Sequence, residues 1–139
     1  MKISARNVLA GKIAHVTKGA VSSEVTLALQ GGENLISIIT NSSVDTLDLQ
    51  DGMAAYAIIK ASDVIIGKGN GTRLSARNVL AGEVENLHDG AVNGEIKVKL
   101  ASGTPVIASI TMGSVKALDL HQGDKVSAII KANHVLLGV

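Results

Sequence analysis

The chain alternates between hydrophobic and polar residues over short stretches, which is the pattern of strands with one buried face. The alternation is clearest where Val25, Leu27 and Leu29 are separated by Thr26 and Ala28. Turns that contain glycine separate such stretches. In the first half of the chain, strands are predicted over residues 11–16, 21–29, 35–40, 53–60 and 63–67.

The stretch 42–49 departs from this alternation. Val44 and Leu47 are three positions apart, which is typical of one side of a short helix. Ser42 and Asp45 have the spacing of a capping box at the start of such a helix, but Gly113 and Lys116 replace them in the second half of the chain, so only the helix is predicted. Five short strands with one helix before the fourth predict a mainly all-β fold, a small Greek-key barrel of the OB type.

The whole pattern occurs twice. The octapeptide of residues 4–11, Ser-Ala-Arg-Asn-Val-Leu-Ala-Gly, returns unchanged at residues 75–82, and the shift of 71 positions holds without a gap to the end. More than half of the aligned positions differ, so polar residues that are unchanged carry information. We therefore predict two tandem OB-like five-stranded Greek-key barrels, each with one short helix: residues 1–67 and 73–139, joined by the glycine-rich linker 68–72.

Composition limits the class of protein. The chain has no cysteine, and Tyr56 is its only aromatic residue, so the cores must be built from Val, Ile, Leu and Ala. A domain of about 65 residues is marginally stable alone, which favours an oligomer. The net charge of +1 gives no indication of a nucleic-acid partner. We see no signal peptide and no apolar run long enough to span a membrane, and expect a cytoplasmic protein without a membrane partner.

Neither a catalytic group nor a metal site is indicated. None of the four histidines has a histidine at the equivalent position of the other copy, so a repeated metal site is not expected. Glu24 and Asp48 are retained in both copies, but singly rather than as a close pair for acid–base chemistry. A nucleophilic pair of Ser43 and Lys60 would need a buried lysine and an oxyanion hole, for which there is no signal. We predict that the protein is not an enzyme.

The polar residues that both copies retain are mostly hydrogen-bond donors. Arginine offers a rigid fork of donors, lysine a point charge, and serine and threonine offer hydroxyls, and all of these suit an oxyanion. One arginine with one lysine matches the charge of a tetrahedral dianion. The alternative is that these residues are the exposed polar ends of strands. The retained set is Ser4, Arg6, Asn7, Thr40, Ser43 and Lys60, with Ser75, Arg77, Asn78, Thr111, Ser114 and Lys131.

Several motifs together resemble the Mop or TOBE domain. These are Ser-Ala-Arg-Asn near each start, Gly-Ala-Val a little later, Thr-x-x-Ser before the helix and Ala-Ile-Ile-Lys-Ala before the last strand. The resemblance covers essentially the whole chain twice, as in two-domain molbindins. It implies OB-like barrels assembled as a homotrimer, with molybdate or tungstate held at domain interfaces and no cofactor.

The resemblance also implies the residues that bind the oxyanion. They are Ser4, Ala5, Arg6, Thr40, Ser43, Lys60 and Ala61, with Ser75, Ala76, Arg77, Thr111, Ser114, Lys131 and Ala132. A second type of site near a symmetry axis is assigned to Gly19, Ala20 and Val21, with Gly90, Ala91 and Val92. No side chain is expected to ligate a metal ion directly.

The function expected from this resemblance is intracellular binding, storage and buffering of molybdate and tungstate. One alternative is a ligand-sensing regulatory module that acts through a partner protein. Another is binding of a molybdenum–pterin cofactor, which the scarcity of aromatic residues disfavours because a pterin ring stacks on aromatic faces. A nucleic-acid-binding barrel is also disfavoured, because the bases would need aromatic side chains on which to stack.

Overall fold

The mainly β architecture predicted from the sequence is confirmed. A computed structural model describes residues 1–69 and 73–139, so residues 70–72 of the predicted linker lie outside the described residues. The first repeat forms β1 (Asn7–Lys18), β2 (Ser22–Leu29), β3 (Asn34–Thr40), α1 (Asn41–Thr46), β4 (Ala54–Ile59) and β5 (Ile65–Lys68). The second forms β6 (Asn78–Asp89), β7 (Asn93–Leu100), β8 (Pro105–Thr111), α2 (Met112–Ala117), β9 (Lys125–Ile130) and β10 (Leu136–Gly138).

The first compact unit consists of Met1–Ile59 together with Lys131–Val139. Its antiparallel sheet has the order β10-β4-β1-β2-β3. The core is aliphatic, and Ile13, Leu27 and Val135 are almost completely buried. Because Val135 belongs to the second repeat, the core of this unit needs residues from both repeats.

The second compact unit consists of Lys60–Ile130. Its antiparallel sheet has the equivalent order β5-β9-β6-β7-β8. Val64 and Ile66, which come from the first repeat, are buried in this unit with Ile96 and Val106. The last strand of each repeat thus completes the sheet that the other repeat begins. The compact units therefore divide the chain differently from the repeat boundaries read in the sequence.

The exchanged segments are held by main-chain pairing and, in the first unit, by one buried side chain. Leu136 of β10 pairs with Ile58 of β4, so β10 covers an edge that would otherwise expose unpaired backbone groups. Ser37 Oγ of β3 donates a hydrogen bond of 2.7 Å to Val135 O. The equivalent of Ser37 in the second repeat is Ala108, so this hydroxyl contact is particular to the first unit.

The largest differences from the predicted element boundaries are at the starts of β1 and β5. β1 begins at Asn7 rather than Gly11, because Gly11 lies within the strand. A Cβ atom at Gly11 would stand 2.4 Å from Ala28 O, so the glycine permits a close approach of β2 rather than marking a turn. The segment predicted as a strand from residue 63 begins instead with a 3₁₀ turn, Ala61–Asp63, and the strand follows at Ile65.

A polar cluster fixes the end of β5 in the second unit. Lys68 Nζ lies 3.0 Å from Asp124 Oδ2 and donates a hydrogen bond of 2.6 Å to Asp119 O. The backbone N–H of His121 donates to the same Asp124 oxygen at 2.8 Å. This backbone hydrogen bond, followed by the hydrogen bond from Lys68, lowers the pKa of Asp124 below its ordinary value. At the position of Lys68, the second repeat has Val139.

We predict that Asp124 contributes stability at neutral pH and loses it in acid. A carboxylate whose pKa is lowered by folding stabilises the folded state above its unfolded pKa, and this contribution disappears as the pH falls through the folded value. Asp124→Asn should therefore lower the melting temperature at pH 7, and the difference from the parent should shrink below about pH 4. Thermal unfolding followed by circular dichroism from pH 2.5 to 7 measures this.

The matched control is Asp51→Asn, which changes an exposed carboxylate between α1 and β4. It should leave the melting temperature nearly unchanged at every pH. A melting-temperature difference for Asp124→Asn that stayed constant from pH 7 to pH 2.5 would show that the charge of Asp124 is not what holds the cluster.

Candidate oxyanion site and the turns beside it

Both short helices begin in the same way, at a threonine that ends a strand. Thr40 Oγ1 accepts a hydrogen bond of 3.1 Å from Ser43 N and so caps α1. Thr111 Oγ1 accepts the equivalent bond from Ser114 N, also at 3.1 Å. The helix expected from the sequence is present, and its cap is Thr40, two residues before the Ser42 whose capping-box spacing the second repeat does not retain. The Thr-x-x-Ser spacing retained in both repeats is the signal that marks it.

The two hydroxyls of each motif lie next to one another. Thr40 Oγ1 and Ser43 Oγ are 2.9 Å apart, and Thr111 Oγ1 and Ser114 Oγ are 3.0 Å apart. Both threonines are exposed and both serines are half-buried. Each motif therefore presents two neighbouring hydroxyl groups at the end of a strand, where they can donate hydrogen bonds to an anion.

The Ser-Ala-Arg segments lie directly before the long strands β1 and β6. Ser4 and Arg6 are exposed, and Ala5 between them is half-buried. The next residue, Asn7, is only 2% exposed and pairs with Ile59 of β4. The second repeat has the same arrangement, with Asn78 paired with Ile130. Each long strand thus begins at a buried asparagine, and the arginine before it is exposed.

The two lysines of the predicted set stand at the beginning of 3₁₀ turns. Lys60 precedes the turn Ala61–Asp63, and Lys131 precedes the turn Ala132–His134. Both lysines are exposed. In the first unit the turn after Lys131 packs against β3, the strand that ends at Thr40. The equivalent turn after Lys60 packs against β8 in the second unit.

The compact units group the predicted residues differently from the repeats, because the exchange begins at the lysines. Direct contact within the set is seen between the threonine and serine of each helix start. The first unit contains Ser4, Ala5, Arg6, Thr40, Ser43, Lys131 and Ala132. The second contains Lys60, Ala61, Ser75, Ala76, Arg77, Thr111 and Ser114.

The Gly-Ala-Val segments form the tips of the β1–β2 and β6–β7 hairpins. Gly19 N donates to Ser22 O at 2.9 Å, and Gly90 N donates to Asn93 O at 3.0 Å. The valines next to these turns are among the most exposed side chains, with Val21 74% and Val92 75% exposed. Both hairpin tips therefore hold an apolar side chain away from the core.

In the first unit, Asn41 ties the hairpin tip to the start of α1. Its Nδ2 donates to Gly19 O at 2.9 Å, and its Oδ1 accepts from Ser23 Oγ at 2.5 Å. Lys18 and Asp45 form an exposed ion pair of 2.7 Å across the same junction. This junction between the hairpin and the helix was not predicted from the sequence.

The second unit supports the same junction with different chemistry. Gly94 and Met112 replace Ser23 and Asn41, and a Cβ atom at Gly94 would lie 3.1 Å from the Met112 sulfur. An apolar contact thus stands where the first unit has a hydrogen bond. The charges are also reversed, with Asp89 and Lys116 at the positions of Lys18 and Asp45. Complementary differences at paired positions are a sequence signal that could have identified this junction.

The structure gives no indication of a resident metal ion or a membrane helix in the part of the chain that it describes. Within residues 1–69 and 73–139, no three histidine, cysteine, aspartate or glutamate side chains are grouped so that they could hold a metal ion. None of the helices in these ranges is long and apolar enough to cross a membrane.

The fold and the repeated motifs define a tandem pair of OB-like domains that share one set of retained polar residues. The TOBE domain family matches residues 3–66 and 74–137. The chain belongs to this family.

Several relatives that this chain resembles carry names that refer to molybdenum. A solved structure of the cytoplasmic molybdate-binding protein ModG with molybdate bound is 42% identical, with a TM-score of 0.97, and the match covers 100% of this chain and 99% of that one. The molybdenum-pterin-binding protein MopA of Rhodobacter capsulatus is 41% identical over all of this chain and 53% of its own length. The molybdenum transport protein ModE of Azotobacter vinelandii is 37% identical over all of this chain and 52% of its own length. The chain thus spans about half the length of these two curated relatives.

We predict that Asn41→Ala destabilises the first unit by about 1–3 kcal/mol, because it removes the partner of the buried Ser23 hydroxyl. The double variant Ser23→Gly/Asn41→Met, which installs the residues of the second repeat, should recover most of this loss. Chemical denaturation of the parent, Ser23→Gly, Asn41→Met and the double variant measures the coupling between the two positions.

The matched control is Ser42→Ala, at the neighbouring exposed position of α1, which should change stability by less than about 0.5 kcal/mol. Strictly additive effects of Ser23→Gly and Asn41→Met would contradict the proposed coupling.

Proposed function

We propose that this protein binds molybdate and tungstate reversibly through the retained Ser-Ala-Arg, Thr-x-x-Ser and Lys-Ala segments. The observation that carries the proposal is that these segments are identical in both repeats, whereas residues that contact the same helix starts, such as Ser23 and Asn41, are replaced in the second repeat. Support also comes from the similarity over the whole chain to a molybdate-binding protein whose structure holds molybdate.

The chemistry of the set favours a tetrahedral dianion. Each repeat supplies one guanidinium and one ammonium, whose charges together balance a dianion, and two hydroxyls that lie about 3 Å apart. Arginine can donate two hydrogen bonds to two oxygens of one anion, and lysine adds a compact charge. The set contains no carboxylate or histidine that could act as a general base. We infer that it binds the anion without transforming it.

Reversible binding by two sets of groups in one chain suits storage and buffering of the oxyanion in the cytoplasm. Storage differs from catalysis in that the anion leaves the protein chemically unchanged. Molybdate released by dialysis should be chemically unchanged and should rebind with the same affinity.

The central test removes both arginines. Arg6→Ala/Arg77→Ala should weaken molybdate binding by about tenfold to a hundredfold, because a hydrogen bond to a charged group is worth about 1.5–3 kcal/mol. Isothermal titration calorimetry with molybdate, tungstate, sulfate and phosphate gives the affinities and the number of anions bound. Arg6→Lys/Arg77→Lys should restore little if the guanidinium contacts two oxygens at once.

The control for this test is Arg73→Ala, which removes an exposed arginine outside the retained set. It lowers the net charge in the same way as one of the arginine substitutions and should leave the affinity within about twofold at physiological salt, because screening weakens distant exposed charges. An Arg6→Ala/Arg77→Ala protein that is still folded and still binds molybdate with the parental affinity would show that the repeated motif is structural.

We further propose that the chain assembles as a homotrimer. Both units expose an apolar strip on the outer face of the sheet, formed by Val8 and Leu136 in the first and by Val79 and Ile65 in the second. The strips lie at equivalent positions, because Val8 and Leu136 both pair with Ile58, and Val79 and Ile65 both pair with Ile129. Exposed apolar area of this kind is typical of a surface that contacts another chain.

Light scattering tests the assembly against the chain mass of 14.2 kDa. The expected mass is about three times this value at micromolar concentration. Val8→Lys/Val79→Lys should shift the protein towards smaller species, because charges at an interface core are costly to bury. A monomeric parent protein would contradict the trimer.

A further inference from the structure

A pocket of about 380 Å³ lies on the first unit, away from the retained polar set. Its volume falls within the range of small-molecule sites, about 300–1,000 Å³. The lining is mostly apolar and contains the only aromatic residue of the chain. The side chains that matter for the argument are Ala10, Lys12, Ala28, Gln30, Ala54 and Tyr56.

Strand register arranges these residues in two neighbouring rows across the outer face. In the first row, Ala10 of β1 pairs with Tyr56 of β4, which also pairs with Gly138 of β10. The small neighbours on both sides leave the tyrosine ring laterally uncovered, and Tyr56 is 42% exposed. Gln30 lies at the end of this row, next to Ala10. Its backbone N–H donates a hydrogen bond of 3.2 Å to Ala10 O.

In the second row, Lys12 of β1 lies between two alanines. Its Cα partners are Ala28 on β2 and Ala54 on β4. Among residues 1–69 and 73–139, no side chain forms a hydrogen bond or an ion pair with the Lys12 ammonium group. An ammonium group without a counter-charge therefore stands beside an apolar floor and an aromatic ring.

The second unit has the same two rows with a different composition. Glu83 stands in place of Lys12, and its Cα partners are Lys99 and Lys125. Long charged side chains thus replace both alanines, and the central charge has neighbours of opposite sign. Ser127 stands in place of Tyr56, so the aromatic surface is also absent. A smaller pocket of about 240 Å³ in the second unit is lined by Glu83 and Lys99 among others. The apolar and aromatic lining is consequently particular to the first unit.

We propose that this pocket binds a small planar aromatic anion, such as an aromatic carboxylate of one or two rings. The ligand ring would lie on the alanine floor against the face of Tyr56, where offset stacking adds to the burial of apolar area. Its acidic group would face the uncompensated Lys12 ammonium, and the Gln30 amide would donate a further hydrogen bond. The equivalent place in the second unit lacks the aromatic ring and the glutamine amide, and it has a glutamate instead of the lysine.

The charge and the aromatic ring of the pocket distinguish an aromatic anion from three other possible occupants. A neutral aromatic compound leaves Lys12 without a partner, and an aliphatic acid cannot stack on Tyr56. A second copy of the chain would have to place an acidic side chain beside Lys12, and its binding would depend on protein concentration. These three alternatives give different results in one titration series.

The experiment titrates isotopically labelled protein with three probes, followed by backbone amide chemical shifts. The probes are 2-naphthoate, 2-naphthylmethanol and cyclohexanecarboxylate. We expect 2-naphthoate to shift amides of β1, β2 and β4 around Lys12 and Tyr56, with a Kd of about 0.1–2 mM, as is reasonable for so small a ligand. The two other probes should bind at least about threefold more weakly, since each lacks the ring stacking or the charge. The affinity for 2-naphthoate should fall as salt is added.

Three variants test the assignment. Tyr56→Ser and Ala28→Lys each introduce the residue of the second unit, and Lys12→Gln removes the charge. Each should weaken 2-naphthoate binding by at least about twofold to tenfold, because each removes a stacking face, floor space or a counter-charge. Ser127→Ala, at the position in the second unit that is equivalent to Tyr56, is the matched control and should not change it. All four positions are on the outer face, and circular dichroism verifies that the variants are folded.

Molybdate titration of the same variants should give parental affinity, which separates this pocket from the proposed oxyanion site. The proposal is overturned if 2-naphthoate causes no saturable shifts up to about 10 mM, roughly five times the weakest expected Kd. It is also overturned if Tyr56→Ser and Ala28→Lys bind the probe as the parent does. Shifts around Tyr56 that follow protein concentration without any probe would assign the pocket to contact between chains instead.

Discussion

Completion of each sheet by a strand from the other repeat is the constraint on which the remaining structure depends. β4 would be an edge strand without β10, and β9 would be one without β5. An exposed edge strand can pair with other chains, and a small barrel with an aliphatic core is only marginally stable. The exchanged segments also bring buried residues, Val135 to the first core and Val64 to the second. Neither repeat can therefore complete its own sheet and core when the strands are arranged in this way.

The exchange could not have been predicted from the hydrophobic pattern. β5 and β10 have the same alternation whichever sheet they join, because a strand pattern reports a buried face and not the identity of the neighbouring strand. The pattern did predict β2, β3 and β4 to within one residue at every end. It placed the start of β1 too late because Gly11 resembles a turn residue, whereas close packing against the Ala28 carbonyl is its actual role.

The comparison of the two repeats predicted more about the candidate site than composition did, but it also has limits. It singled out Asp48 and Asp119, whose retention has a backbone explanation, since both adopt a left-handed conformation with φ of 49° after the helix. It likewise singled out Asn7 and Asn78, which are buried at strand starts. Retention alone therefore cannot separate a binding residue from one that the backbone requires, and exposure is the additional information that separates them. Arg6 and Lys60 are both exposed.

Positions that differ between the repeats are informative when their differences compensate. The hairpin junction exchanges a polar pair for an apolar pair, Ser23 and Asn41 for Gly94 and Met112, and reverses the sign of a charge pair beside it. The first unit joins the hairpin tip to the helix by a hydrogen bond, and the second unit has an apolar contact at the same place. The outer face shows the opposite behaviour, since Lys12 lies between alanines and Glu83 between lysines. A surface with one common role would keep its charge sign, and these two surfaces do not. The proposed oxyanion set is identical in both units and therefore fits one ligand. The outer faces differ, since the first has an apolar pocket with an unpaired lysine and the second has charged side chains of both signs, so they are not expected to bind the same occupant.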